Sequence, residues 1–177
     1  VTQVSAAAKG FIELGLEPFH TVAILGHNDP AWHISATGPP PLSSLRSSNL
    51  AAIHAGAFAT GIYQTNTAAA CEYIARDSRA NIVVVGDHDQ LAKVLLPANR
   101  NSTFLQVLSI RASLPNLRAV VLYGGDPAQT MEQPGVFTWQ QLLQLGRDKH
   151  DSTLDSRLNN IALNQVETKT CNPYSFI

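Results

Sequence analysis

The sequence has little charge, few cysteines and no long apolar run, and each shortage excludes a class of protein. Charged residues make up 14% of the 177-residue chain and the net charge is −1 at pH 7, so no chain-wide basic field exists to attract nucleic acid or an anionic bilayer. The two cysteines, Cys71 and Cys171, lie far apart. They argue against a disulfide framework or a zinc site and favour a reducing, cytoplasmic compartment. No apolar run reaches the roughly 18 residues of a transmembrane segment.

The start of the chain gives two further expectations. Residues 1–9 are polar and alanine-rich, so a signal peptide is not predicted. The chain begins with valine rather than methionine, and we expect it to be a fragment of a longer protein. Apolar residues make up 45% of the sequence, which favours a packed domain over a disordered chain.

Short, unbroken apolar runs predict buried β-strands at 21–25, 82–85 and 119–123, with a weaker strand at 61–63. Helical patterns alternate with these strands and predict five helices. The first covers 4–12 and ends before Gly15, the second begins after Asp29 with Pro30 at its first position, and the third is capped by Asn66 or Thr67. The fourth covers 90–95, and the fifth begins at its cap Thr138 and ends at Gly146. Strands that are apolar along their whole length are buried on both faces. The pattern therefore predicts an α/β fold, a doubly wound, mostly parallel sheet with flanking helices.

Two stretches interrupt this alternation. Residues 39–51 begin with three prolines, which end a helix. Removing them brings Trp32, Ala36 and Ile53 onto one stripe of a single helix. Residues 96–109 form a second interruption. Both fit ordinary surface loops, and both fit insertions from unspliced or misassigned coding sequence.

The segment 147–177 is polar and weakly patterned. It is predicted to be a polar linker or a truncated tail. The preceding residues, 1–146, are predicted to form one partial domain that contains the two interruptions.

No constellation of residues predicts a catalytic, cofactor or metal site. HExxH spacing and partnered acidic clusters are absent around the six histidines, which are His20, His27, His33, His54, His88 and His150. The run from Asp87 to Asp89 is interpreted as a polar turn and cap. The run from Gly124 to Pro127 lacks the lysine and spacing of a phosphate loop and is interpreted as a tight turn.

The remaining reactive or aromatic side chains are interpreted as structural. Cys71 lies on a helix face beside Ile74 and is predicted to be a buried, inert thiol. Trp32 and Trp139 are predicted to anchor the core. No GxSxG or GxGxxG pattern occurs, so neither a nucleophile elbow nor a dinucleotide fingerprint is predicted.

Five blocks in order carry a family resemblance, and they are residues 15–32, 52–66, 70–87, 114–123 and 137–146. Together they resemble the start of the adenylate-forming (AMP-binding) superfamily, most closely the bubblegum-type long-chain acyl-CoA synthetases. Each block alone is weak, whereas five in register are specific. The resemblance implies an incomplete amino-terminal subdomain of an adenylate-forming enzyme.

The resemblance also implies a reaction for the full-length family. Such enzymes are AMP-forming acid–thiol ligases that use ATP and Mg²⁺ to convert a long-chain fatty acid to an acyl-adenylate. The acyl group is then transferred to coenzyme A. The expected location is the cytoplasm, with peripheral attachment to the cytoplasmic face of the endoplasmic reticulum or other membranes.

The family's phosphate-binding motif has no counterpart in the sequence. The family places a loop of the type YTSGTTGxPKG after the segment that matches 164–171, whereas this sequence reads NPYSFI over 172–177. No functional residue of the family can be carried onto a numbered position. We therefore expect this chain alone to bind ATP, Mg²⁺ and coenzyme A poorly and to catalyse no reaction.

Two other interpretations stay open. The chain could be a non-catalytic binding or regulatory module that pairs with a full-length synthetase through an unsatisfied sheet edge. It could also be a gene-model fragment that does not fold alone, because an incomplete sheet leaves an unpaired edge and an uncovered apolar face.

Overall fold

A computed structural model describes residues 3–26, 48–63, 65–86, 113–123, 134–162, 166 and 168–169. The helices are α1 Gln3–Glu13, α2 at 48–54, α3 Ala68–Asp77, α4 Trp139–Arg147 and α5 Ser152–Asn159. The strands are β1 Thr21–Gly26, β2 Phe58–Tyr63, β3 Ala80–Val85, β4 Ala119–Leu122, β5 Val136–Thr138 and β6 Thr168–Lys169.

The six strands form one sheet in the order β5-β4-β3-β1-β2-β6, and every described pair is parallel. β3 and β4 are buried at every position, which is why their sequences are apolar throughout rather than alternating. The predicted α/β fold with a parallel, doubly wound sheet is therefore confirmed.

Apolar side chains cover both faces of the sheet. On one face, α1, α2, α4 and α5 pack against β1, β2 and β3 in a cluster that includes Phe11, Val22, Val84 and Leu142. On the other face, Ile74 and Cys71 of α3 pack against Leu25, Val83 and Val120. Burial on both sides makes the sheet the core of the molecule.

Local capping explains where two helices begin. The Thr67 hydroxyl accepts a hydrogen bond from the backbone N–H of Ala70 at the start of α3. At the start of α4, Thr138 and Gln141 form a reciprocal capping box, which satisfies backbone donors that the helix leaves unpaired. The cap at Thr138 was predicted from sequence, and Thr67 was one of two candidates, with Asn66, for the cap of α3.

The end of α4 differs from its prediction. Gly146 was predicted to stop this helix, but the helix runs to Arg147 and Asp148 is its C-cap. Gly146 is instead the point where α4 approaches α1, because a Cβ at this position would overlap the carbonyl oxygen of Ala6. By contrast, α1 ends at Glu13 and Gly15 follows with φ +93°, as a helix stop requires.

The segment after residue 146, predicted to be a polar linker or a truncated tail, contains two packed elements among its described residues. Helix α5 places Leu154, which is 3% exposed, in the core. Strand β6 pairs with Ala59 and Thr60 of β2. Sequence patterning missed both elements because α5 buries one apolar residue and β6 has two residues.

The end of the first interruption is also structured. Residues 48–51 belong to α2, and Ala51 is fully buried in the core, while the insertion at 39–51 stays a prediction. The rest of that stretch, the second stretch at 96–109, the predicted helices after Asp29 and over 90–95, and the turns at 87–89 and 124–127 lie outside the described residues.

Candidate functional site

The carboxyl ends of the strands are the place where this sheet offers a ligand site. From β1 the chain passes to β2 on one side, and β3 lies on the other side of β1. In open α/β sheets, ligands bind outside the carboxyl ends of the strands at such a reversal. We call this region the carboxyl edge, and its described residues are Gly26, Tyr63, Gly86 and Tyr123.

Backbone groups at the carboxyl edge are largely engaged in the fold. The Gly86 N–H donates to the carbonyl of Leu25 at 3.0 Å, and the Tyr123 N–H donates to the carbonyl of Val85 at 3.1 Å. The amino end of α3 lies after β2, and its Ala70 N–H is already bound by Thr67. Within the described ranges, the edge therefore supplies glycines and an exposed tyrosine but no cation.

The amino ends of the strands carry a polar network instead. The buried Asn81 side chain accepts from the Glu17 N–H at 2.9 Å and donates to the Asn116 carbonyl at 2.9 Å. The Arg118 N–H donates to the Asn81 carbonyl at 2.7 Å, and the Arg118 side chain pairs with Glu17 at 3.0 Å. This network joins the start of β3 to the segments that precede β1 and β4, and its role is structural.

A buried lysine joins α1 to the segment before α5. Lys9 is 4% exposed, and its Nζ donates to the Lys149 carbonyl and to Asp151 Oδ1, each at 2.8 Å. The hydrogen bond from Lys9, together with its charge, lowers the pKa of Asp151. A small cleft of about 150 Å³ lies beside this pair, lined also by His150 and Ser152. The buried cation is thus already neutralised by Asp151.

Arg157 fastens α5 to two loops. Its Nη1 donates to the Ala55 carbonyl at 3.0 Å and its Nη2 donates to the Leu16 carbonyl at 2.8 Å. Burial lowers the pKa of this guanidinium because desolvation disfavours the charged form. Sequence reasoning missed both Lys9 and Arg157. For Lys9, one signal was present in the sequence, namely a lysine inside the alanine-rich α1. For Arg157 there was no signal, because its partners are distant backbone carbonyls.

The histidine, cysteine and tryptophan side chains considered in the sequence analysis are not brought together within the described ranges. Cys71 and Trp139 are buried, as predicted. His20 and His54 each have a buried ring Nδ1 without a hydrogen-bond partner, and His150 is exposed. His27, His33, His88, Trp32 and the turns at 87–89 and 124–127 lie outside the described residues. The prediction that no site residue can be nominated stays a prediction.

The described part of the chain does not fit an ATP–Mg²⁺ group. Its residues include no group of three or more His, Cys, Asp or Glu side chains placed to hold a metal ion. Five basic side chains are already engaged: Lys9 with Asp151, Arg76 with Glu72, Arg118 with Glu17, Lys149 with Glu13, and Arg157 with two carbonyls. A polyphosphate needs free donors and positive charge at one place.

No helix in the described ranges has both the length and the apolar character needed to cross a bilayer.

Sequence comparisons place the chain among larger proteins. The model of a family described as AMP-binding enzyme matches residues 1–155. Long-chain-fatty-acid–CoA ligase ACSBG2 of Xenopus laevis is 39% identical over 166 residues, which cover 94% of this chain and 19% of the relative. Long-chain-fatty-acid–CoA ligase ACSBG1 of Bos taurus is 40% identical over 153 residues, which cover 86% of this chain and 17% of the relative. The chain thus spans less than a fifth of the length of these relatives.

Solved structures share the fold. Coronafacic acid ligase from Pectobacterium brasiliense has a TM-score of 0.64 at 10% identity, over 95% of this chain and 26% of that chain. The anthranilate CoA ligase AuaEII, solved in complex with anthranoyl-AMP, has a TM-score of 0.56 at 21% identity, over 80% of this chain and 21% of that chain. At these identities the likeness concerns the fold alone.

Proposed function

Because the chain belongs to the AMP-binding enzyme family, we propose that it forms the amino-terminal scaffold of a long-chain fatty acid–CoA ligase. The observation that carries this proposal is the 39% identity to Xenopus laevis ACSBG2 across 94% of the chain. The match covers 94% of the chain. The proposed role is therefore that of one part of a larger catalytic domain.

In the proposed whole ligase, the fatty acid carboxylate attacks the α-phosphorus of ATP, and pyrophosphate leaves. The coenzyme A thiol then attacks the acyl carbon, and AMP leaves. ATP, Mg²⁺ and coenzyme A are proposed for the complete enzyme. A cytoplasmic compartment, with peripheral attachment to its membranes, is proposed with them and is supported by the low cysteine content.

Within that ligase, the contribution of this chain is a rigid sheet rather than a phosphate cradle. The basic side chains described above are committed to structural partners, and the Ser/Thr/Gly-rich motif is absent from the sequence. We therefore propose that the chain alone forms no acyl-adenylate. The sheet's carboxyl edge would form one wall of a site that other strands complete.

A chimera tests the proposal. This chain would replace the matching part of Xenopus laevis ACSBG2, and pyrophosphate release would be measured with palmitate, ATP, Mg²⁺ and coenzyme A. We expect activity above that of the same ligase with the matching part deleted. A chimera that folds, with a cooperative melt, but releases no more pyrophosphate than the deletion control would contradict the proposed function.

A further inference from the structure

Helices α1 and α2, which precede β1 and β2, end in the same way. After α1, the Leu16 N–H donates to the Phe11 carbonyl at 3.0 Å. After α2, the Ala57 N–H donates to the Ala52 carbonyl, also at 3.0 Å. A glycine with positive φ follows each helix. These are the features of a Schellman end, which still leaves some of the last carbonyl groups without a donor from the helix itself.

One guanidinium serves both helix ends. Arg157 Nη1 donates to the carbonyl of Ala55, the residue after α2, and Arg157 Nη2 donates to the carbonyl of Leu16, shortly after α1. A positive charge at the carboxyl end of a helix also offsets the partial negative charge that gathers there. Arg157 is therefore a shared cap of α1 and α2, supplied by a third helix, α5.

Helix α5 is held mainly by polar contacts. It has eight residues and buries Leu154, with Leu158 partly buried, whereas α4 buries four of its nine residues. A helix this short is not stable in water by itself. Besides the contacts of Arg157, the segment before the helix is bonded to α1 through Lys9 and Lys149, each of which pairs with a carboxylate. The attachment of α5 thus has few buried apolar contacts.

We propose that residues 149–159 form a strap that opens as one unit while the sheet stays folded, and that Arg157 couples this opening to the carboxyl ends of α1 and α2. Regions with few buried apolar contacts open at a lower free energy than the core. When the strap opens, the carbonyls of Leu16 and Ala55 lose this donor, so the turns that lead into β1 and β2 loosen next. The strap is a conformational device at the amino ends of the strands, and it is independent of the proposed function.

Hydrogen exchange of the full chain, followed residue by residue by nuclear magnetic resonance, tests the strap. We expect the hydrogen-bonded N–H groups of α5 to share one rate after correction for intrinsic exchange. This rate should be at least about tenfold faster than that of β3, which is buried at every position. The N–H groups of Leu16 and Ala57 should exchange more slowly than α5 and faster than β3, because their turns loosen only once the strap is open.

Three variants test the coupling. Arg157→Ala removes both donors and should accelerate exchange in α5, at Leu16 and at Ala57 by the same factor, at least about tenfold. The variant should still melt cooperatively. Arg157→Lys keeps the charge but loses the fork that reaches two carbonyls, so its factor should be smaller. The matched control is Arg147→Ala, at an exposed position in the last turn of α4, which should leave these rates unchanged.

Separate outcomes overturn each part of the proposal. Exchange of α5 at the rate of β3, or rates that rise steadily toward one end of α5, would mean that the helix unfolds with the domain or frays instead of opening as a unit. Unchanged exchange at Leu16 and Ala57 in Arg157→Ala would contradict the coupling. Loss of the cooperative melt in that variant would contradict a strap that opens while the sheet stays folded.

Discussion

The pair of Lys9 and Asp151 shows how one buried cation is accommodated. Lys9 lies in an alanine-rich helix that packs on the core, and its ammonium has two oxygen acceptors. A buried charge is costly unless it is paired and hydrogen-bonded. Asp151 remains largely open to solvent, so it serves as the accessible half of the pair. The pair ties α1 to the start of α5.

We predict that Asp151→Asn lowers the melting temperature at pH 7. The pKa of Asp151 is lowered from 3.8 in the folded protein, chiefly by the hydrogen bond from Lys9. The stabilisation is therefore complete above pH 3.8 and is lost as the pH falls through the lower folded pKa. Thermal melts of the unmodified chain and of Asp151→Asn between pH 7 and pH 2.5 should show the difference between their melting temperatures shrinking in the acid range.

The matched control is Asp77→Asn, at the end of α3, which should leave the melting temperature nearly unchanged. A difference for Asp151→Asn that persists unaltered at the lowest pH would contradict an electrostatic origin.

Single residues were predictable where their role is local. The caps at Thr67 and Thr138 and the burial of Cys71 and Trp139 follow from short-range pattern. The two backbone acceptors of Arg157 were not predictable, because each is about 100 or more positions away along the chain. A sequence pattern does not encode which distant carbonyl is left unpaired.

Among the elements, long apolar strands and amphipathic helices were predictable, and the short pieces at the sheet edges were not. β1, β3 and β4 were predicted within one or two residues of their ends. β5 and β6 have three and two residues and are only partly buried. Their pairing comes from the register of the neighbouring strand rather than from their own sequence.

We predict that Gly146→Ala separates α1 from α4. A methyl at this position would overlap the Ala6 backbone, and Gly10 faces the Leu142 carbonyl in the same way. The overlap should lower the free energy of unfolding by about 1–3 kcal/mol, despite a gain in helix propensity of up to about 1 kcal/mol. Chemical denaturation with urea measures this change.

Gly61→Ala is the matched control. No atom lies within 4 Å of a Cβ at Gly61, so this variant should be neutral or slightly stabilising. Equal stability of the two variants would contradict close contact between the helices.

For the molecule as a whole, the order of the five sequence blocks identified both family and fold. The bubblegum-type long-chain acyl-CoA synthetase resemblance is confirmed by relatives at 36–40% identity, and the parallel sheet is observed directly. The division at residue 146 and the two insertions remain predictions. No site residue was nominated from the sequence, because the phosphate-binding motif that the resemblance implies does not occur in residues 1–177, and this stays a prediction.

The distribution of charge among the described residues supports the proposal that the chain alone is a scaffold. In the described ranges, polar networks gather at the amino ends of the strands, as with Asn81, Arg118 and Arg157. The carboxyl edge, where such sheets bind ligands, is left with glycines and tyrosines. Binding a polyphosphate there requires donors from outside the described residues.

The most direct test of the proposal that the chain alone is an inert scaffold is to measure pyrophosphate release. The purified chain would be incubated with palmitate, ATP, Mg²⁺ and coenzyme A. The scaffold proposal predicts a rate equal to that of the blank without protein. Release that is saturable in ATP and requires palmitate would contradict it.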